Sequence, residues 1–322
     1  MSLPLSTKTA TYDARIVEKF MRELGKTIRA ALDDERTEDI ALNSDGRIWV
    51  KRQGDDYVCA GEMLDSHALD MIGTVAYMRG EEVNAAKPIL EVDLPVYGAR
   101  FEAVIPPVVS SPIFSIRTRN KHVKTFAMLL ESGIVSEQHV EVIEEAVRMR
   151  RNILVAGGTG SGKTTFVNAI LEAQSRLTPQ HRTILIEDTP ELNCQADNVV
   201  SLLSSVSVSM LDCLRVCMRL NPDRITVGEV RGAEAHTLIK SWNTGHPGGF
   251  ATVHADDAYS ALLRIQTLVA EAVQSPQQEE IARAINLVVF IKRDKSFKAG
   301  RQVTEVCRVT GYRDGRYVME VL

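Results

Sequence analysis

Gly157-Gly158-Thr159-Gly160-Ser161-Gly162-Lys163-Thr164 decides the reading of this chain, because it fits the phosphate-loop pattern G-x-x-x-x-G-K-[ST] in the context that pattern needs. Ahead of it, Asn152-Ile153-Leu154-Val155-Ala156 is a short apolar run that reads as a buried strand, and behind it Thr165 to Leu171 continues with helical spacing. Strand, glycine loop and helix in that order make a phosphate cradle. The glycines let successive backbone N–H groups curl around a polyphosphate without a Cβ clash. The helix N-terminus adds positive partial charge, Lys163 reaches the β- and γ-phosphates, and Thr164 brings a hydroxyl to Mg²⁺. Gly158, Thr159, Gly160, Ser161, Gly162, Lys163, Thr164 and Thr165 are therefore the expected contacts of a nucleoside triphosphate and its Mg²⁺.

Composition sets the frame. A chain of 322 residues, 44% hydrophobic and 25% charged, suits two globular domains, each with its own core. A net charge of −4 gives no global attraction to nucleic acid or to an anionic membrane, although Arg117 to Lys124 and Arg148 to Arg151 are locally basic. No apolar run approaches the roughly 18–20 residues needed to cross a bilayer. The N-terminal residues also lack the charged-then-apolar layout of a signal peptide. A cytoplasmic protein is expected, with peripheral membrane association left open. The five cysteines are an odd number, which argues against a disulfide framework. Cys213 and Cys217 lie one helical turn apart, and with Cys59, Cys194 and Cys307 they read as small buried hydrophobes.

Along the chain, Ile16, Phe20, Leu24, Ile28 and Leu32 predict one amphipathic helix over residues 11–32. Asp45-Gly46 between two short alternating runs predicts a hairpin, and Met63 to Arg79, closed by Gly80, predicts another helix. Strands follow over 89–96, 99–105 and 114–117. This is a smaller α+β domain over 1–120. A helical linker is expected over 121–151, and an α/β domain with a mostly parallel sheet over 152–322, because strands and helices alternate there. Within the tail, 261–268 reads as a helix, 274–280 as a polar loop, and 287–292, 305–311 and 317–322 as strands.

Two further strands end in carboxylates, where parallel sheets bind ligands. Ile184-Leu185-Ile186 runs into Glu187, Asp188 and Glu191, and Arg224-Ile225-Thr226-Val227 runs through Gly228 into Glu229. An acid at such a position polarises the attacking water in triphosphate hydrolysis. Asn243 to His254 adds His246 and His254, bracketing a glycine-rich turn that reads as a phosphate sensor.

GGTGSGKTT, IEDTPEL, MRLNPDRITVGEVRG and NTGHPGGFATVHA, in this order, resemble the four boxes of the secretion ATPase superfamily: Walker A, Asp box, atypical Walker B and His box. The conjugal-transfer branch is the best match, and the boxes cover residues 152–255. Gly228 stands where an Asp often precedes the Walker B Glu. The resemblance implies a hexameric ring of identical subunits, with an N-terminal domain closing over nucleotide held by a RecA-like C-terminal domain. It also implies an ATPase that drives a type IV secretion or conjugation apparatus with inner-membrane partners. By motif position Glu191 is the catalytic base, Glu229 the Walker B acid, Lys163 the phosphate lysine, and His246 and His254 the His-box pair; Thr164, Glu187 and Asp188 are the Mg²⁺ candidates. Ala99-Arg100-Phe101 and Ser115 to Arg119 carry a looser resemblance, making Arg100 and Arg117, then Arg119, the arginines that reach the γ-phosphate. Arg219 and Arg231 are candidates for a subunit boundary. The runner-up is a pilus motor or type II secretion motor of the same superfamily, disfavoured by the lack of a four-cysteine zinc site after the nucleotide core. A RecA-like nucleic-acid motor fits less well, since no stripe of aromatic and basic residues is present. A non-catalytic nucleotide switch would have no use for the carboxylates.

Overall fold

The computed structural model describes residues 14–52, 54–118, 124–205 and 207–322. They fall into two compact units that divide between Lys121 and His122. The first unit contains α1 (Ala14–Glu23), α2 (Gly25–Asp33), β1 (Thr37–Leu42), β2 (Arg47–Arg52), β3 (Val58–Glu62), α3 (Asp65–Arg79), β4 (Ile89–Asp93), β5 (Arg100–Val104) and β6 (Ile113–Arg117). Its six strands form one antiparallel sheet in the order β3-β2-β1-β6-β5-β4. The single helix expected over 11–32 is two helices, because Gly25 takes φ +69 and ends the first one. The apolar stripe survives the break: Phe20, Leu24, Ile28 and Leu32 are all buried in the same core. Strand β3 was not foreseen; its residues are mostly exposed, so Val58-Cys59-Ala60-Gly61-Glu62 carries no burial alternation to read.

The second unit contains α4 (Phe126–Glu131), α5 (Glu137–Arg148), β7 (Ile153–Gly157), α6 (Lys163–Leu177), β8 (Thr183–Glu187), β9 (Val199–Leu203), α7 (Met210–Cys217), β10 (Arg224–Val227), α8 (Glu234–Asn243), β11 (Phe250–Val253), α9 (Ala258–Ala270), α10 (Gln278–Ala284), β12 (Leu287–Arg293), β13 (Arg301–Arg313) and β14 (Arg316–Val321). The sheet order is β14-β13-β12-β7-β11-β10-β8-β9. Strands β12, β7, β11, β10, β8 and β9 are parallel, and β13 and β14 continue the sheet antiparallel. The central strands are buried on both faces, as a sheet covered by helices on each side requires. Alternate side chains separate the two cores. Leu154, Ala156, Ile184, Ile186, Val288 and Phe290 meet α7, α8, α9 and α10. Ile153, Val155, Leu185, Leu287, Val289 and Ile291 meet α4, α5 and α6. The stretch 274–280, expected as a loop, gives way at Gln278 to α10. Glu279 and Glu280 suit the positive end of that helix, and Ile281, Ala282 and Ala284 enter the core. Cys213, Cys217 and Cys307 are buried, Cys194 is intermediate, and Cys59 is exposed, contrary to the expectation for it.

Candidate nucleotide-binding site

Because β7, β8, β10 and β11 are parallel, their carboxyl ends share one edge of the sheet, and the sequence motifs leave the strands at that edge. From β7 the loop runs over Gly158 to Gly162 into α6, whose N-cap is Gly162 in the left-handed region. A Cβ on Gly157 would lie 2.5 Å from the Ile291 carbonyl oxygen and 2.6 Å from Ser161 Oγ, so only glycine lets the strand end this close to β12. Ser161 Oγ is itself buried with no hydrogen-bond partner among the described residues.

A continuous chain of polar side chains crosses this edge. Lys163 Nζ donates to the carbonyl oxygens of Gly157 and Gly158 at 2.9 and 3.0 Å, and meets His254 Nδ1 at 3.3 Å. The ammonium can only donate, so Nδ1 accepts, and the imidazole proton belongs on Nε2. His254 Nε2 lies 3.1 Å from Glu229 Oε1. The other Glu229 oxygen accepts from Arg231 Nη2 at 2.9 Å, and Arg231 Nη1 reaches Asp188 Oδ2 at 2.5 Å. Burial, then the Lys163 charge, hold the His254 pKa below its ordinary value, which favours the neutral tautomer the geometry requires. Burial would raise Glu229, but Arg231, His254 and Lys163 outweigh it and hold the carboxyl below its usual range. Burial likewise lowers Lys163, with Glu229 opposing. Arg231 is largely exposed, so its two ion pairs orient Glu229 and Asp188 more than they stabilise the fold.

Glu187 ends β8 and is only 3% exposed. Its Oε1 accepts the backbone N–H groups of Glu191 at 2.8 Å and Leu192 at 2.7 Å, which folds the following loop back over the strand end. Burial pushes this carboxyl up to about 7, against the pull of those two hydrogen bonds. Gly228 packs on the same side chain: a Cβ there would stand 3.2 Å from Glu187 Cγ. The departure at Gly228 thus has a local reason, since a larger residue would crowd Glu187. The loop is also fastened to the phosphate-loop helix. Asn168 Nδ2 donates to the Glu191 carbonyl at 3.0 Å, and Asn168 Oδ1 accepts from Asn193 N at 2.8 Å. The Glu191 side chain itself is exposed.

The structure brings Lys163, Glu187, Asp188, Glu229 and His254 to one edge, and it does not bring His246 there. His246 Nδ1 lies 2.9 Å from the Pro222 carbonyl oxygen, before the start of β10. β11 separates the two histidines, and four residues at about 3.3 Å each span about 13 Å. The turn at Gly248 and Gly249 belongs to the opposite edge too: both N–H groups donate to Asn152 Oδ1, at 2.6 and 3.0 Å. Arg224, fully buried, donates to the Gly248 carbonyl at 2.8 Å. Arg231, expected at a subunit boundary, is engaged within its own chain, and Arg219 is exposed. Arg100 and Arg117 lie in the first unit as direct cross-strand partners on β5 and β6. They extend a row of charges, Lys51, Asp39, Arg117, Arg100 and Asp93, across five neighbouring strands, in which Arg117 Nε donates to Asp39 Oδ1 at 2.9 Å. Arg119 lies outside the described residues. Sequence reasoning missed Asn168, whose position on the inner face of α6 was the available signal, and the bridging role of Arg231.

Among the described residues no group of three or more His, Cys, Asp or Glu side chains is arranged to hold a metal ion by itself. The Thr164 hydroxyl stands in the first turn of α6, and Asp188 directly follows the end of β8. No helix among the described residues is long and apolar enough to cross a membrane.

Comparison with known proteins places the chain in a family. The model of the type II/IV secretion system protein family matches residues 23–322. A probable conjugal transfer protein TrbB of Sinorhizobium fredii is 43% identical over 306 residues, covering 95% of this chain and 93% of its own. The conjugal transfer protein TrbB of Rhizobium radiobacter is 44% identical over 306 residues, covering 95% and 94%. Among solved structures, the Legionella pneumophila ATPase DotB shares the fold with a TM-score of 0.58 at 17% identity, over 99% of this chain and 82% of that one. With the family model matched over residues 23–322 and two relatives aligned over nearly their whole length, the chain belongs to the type II/IV secretion system protein family.

Proposed function

We propose that this chain is an ATPase that powers a conjugal-transfer, type IV secretion apparatus. It works as one subunit of a homo-hexameric ring beside inner-membrane components on the cytoplasmic side, with the RecA-like second unit holding ATP and Mg²⁺. The observation that carries the reading is the hydrogen-bonded chain from Lys163 through His254, Glu229 and Arg231 to Asp188, which links the phosphate loop to both carboxylate-bearing strand ends. In this arrangement the Gly157 and Gly158 carbonyls hold Lys163 in the cradle, and phosphate oxygens take their place when a triphosphate enters. Neutral His254 then couples the position of Lys163 to Glu229. Thr164, Glu187 and Asp188 would hold Mg²⁺, which would offset the negative charge of the phosphates. Glu191 is the base, and Glu187 and Asn168 fix the backbone on which it stands. Charge that develops on the equatorial oxygens is met by a cation already in position, so little reorganisation is needed.

The test is phosphate release by purified protein, with its mass followed by light scattering. Hydrolysis by a species of about six subunits, abolished in Lys163→Ala, is the expected result. Full activity in Lys163→Ala would overturn the assignment of the site.

A further inference from the structure

The phosphate loop has basic neighbours that none of the four motifs contains. β12 pairs in parallel with β7, Ile291 standing opposite Gly157, so the two residues that follow carry β12 past the start of the loop. There Arg293 and Arg301 face each other as cross-strand partners on β12 and β13. Both guanidinium groups lie against the loop's glycines. A Cβ on Gly160 would fall 3.1 Å from Arg293 Nη1, and one on Gly162 would fall 3.0 Å from Arg301 Nη1. Among the described residues neither guanidinium has a hydrogen bond or an ion pair. Like charges placed directly opposite on two strands repel, and here no carboxylate relieves the pair. The arrangement gains its compensation when an anion occupies the loop. The positive field of the α6 N-terminus and Lys163 acts on the same space.

We propose that Arg293 and Arg301 bind the polyphosphate of the nucleotide from within the same chain, as a second pair of cations beside Lys163. The inference rests on the reading of the loop as a nucleotide site and adds to it two residues from the C-terminal hairpin. Glycine at 160 and 162 then serves a second purpose, leaving the planar guanidinium groups room to approach the loop. Arginine suits this task because its fork donates to two phosphate oxygens at once.

Isothermal titration of ADP–Mg²⁺ and ATP–Mg²⁺ into the full chain, at low and high KCl, tests the proposal with Arg293→Gln, Arg301→Gln and the matching lysine variants. Each glutamine variant should weaken both nucleotides about tenfold or more and flatten the salt dependence. Lysine should restore part of the loss, and the melting temperature without nucleotide should not fall below the wild-type value, because each glutamine also relieves the repulsion between the two arginines. Wild-type affinity in both glutamine variants would overturn the proposal while leaving the nucleotide site intact. So would a loss of affinity matched by a fall in the melting temperature of the free protein, which marks a structural role. A wild-type chain that binds neither nucleotide would remove the reading of the site, and the proposal with it.

Discussion

Glu187 gives a stability prediction whose size and sign follow from its surroundings. The carboxyl is buried and titrates at about 7 in the folded chain, against an ordinary 4.5. Below pH 4.5 it is neutral both folded and unfolded. Between the two values the folded state holds a proton that the unfolded chain releases, so stability falls as pH rises, and the loss is complete above the folded value. At about 1.4 kcal/mol per pKa unit the whole loss is about 3 kcal/mol, of which about 2.5 falls between pH 5 and 8. Replacing Glu187 with Gln removes the titration and keeps an oxygen to accept from the Glu191 and Leu192 N–H groups. The chain has two tryptophans, Trp49 in the first unit and Trp242 buried in the second. A Trp49→Phe background therefore makes fluorescence report on the second unit. Urea unfolding should then show the midpoint of the Glu187 protein dropping by about 1 M relative to Glu187→Gln between pH 5 and 8, for a slope of about 2–3 kcal/mol/M. The comparison is made in EDTA and without nucleotide, and the histidines, common to both proteins, cancel in the difference. A midpoint difference that stays constant over this range would refute the reasoning, because it would mean that Glu187 is solvated or already ionised in the folded state.

Three further substitutions probe the rest of the site and the sheet beneath it. Glu191→Gln should keep nucleotide affinity within about twofold and lower turnover about 100-fold or more; near-normal turnover would move the base elsewhere. Asn168→Ala removes both side-chain hydrogen bonds that tie the 188–193 loop to α6. It should cost about 2 kcal/mol of stability and lower kcat much more than nucleotide affinity, an expectation that an unchanged kcat defeats. Gly249→Ala would set a Cβ 2.1 Å from the Ile225 carbonyl oxygen and 2.4 Å from Trp242 Nε1. Backbone and buried ring cannot both yield, so a loss of about 3 kcal/mol or more is expected in thermal unfolding, and a wild-type melting curve would contradict it.

Most of the second unit was legible because its strands are short apolar runs with helices between them, a pattern that one parallel sheet explains. Three of the departures share one trait, that local sequence and final environment diverge. β3 lies exposed at a sheet edge and lacks alternation. α10 begins inside a polar stretch and shows its apolar face only at Ile281. Gly25 interrupts a stripe whose spacing runs on undisturbed, so periodicity alone joins two helices into one. Each of these was decided by packing or by one dihedral angle, which the spacing of apolar residues does not encode.

The site divides along the same line. The phosphate loop is contiguous, and its glycines, Lys163 and Thr164 declare their chemistry within one stretch of eight residues. The pairings that make it a working edge depend on strand order. His254 meets both Lys163 and Glu229 because β11 lies between β7 and β10, and Arg293 reaches the loop because β12 lies on the other side of β7. Nothing in the spacing of the motifs states that order. The two histidines are different, because the information to separate them was present. Phe250-Ala251-Thr252-Val253 is an aromatic and β-branched run, long enough to be a strand, and a strand between His246 and His254 must carry them to opposite edges of the sheet. Reading the whole segment as one glycine-rich turn merged two environments. One of them holds a neutral imidazole beside the phosphate lysine, and the other anchors the amino end of the sheet through Asn152 and Arg224.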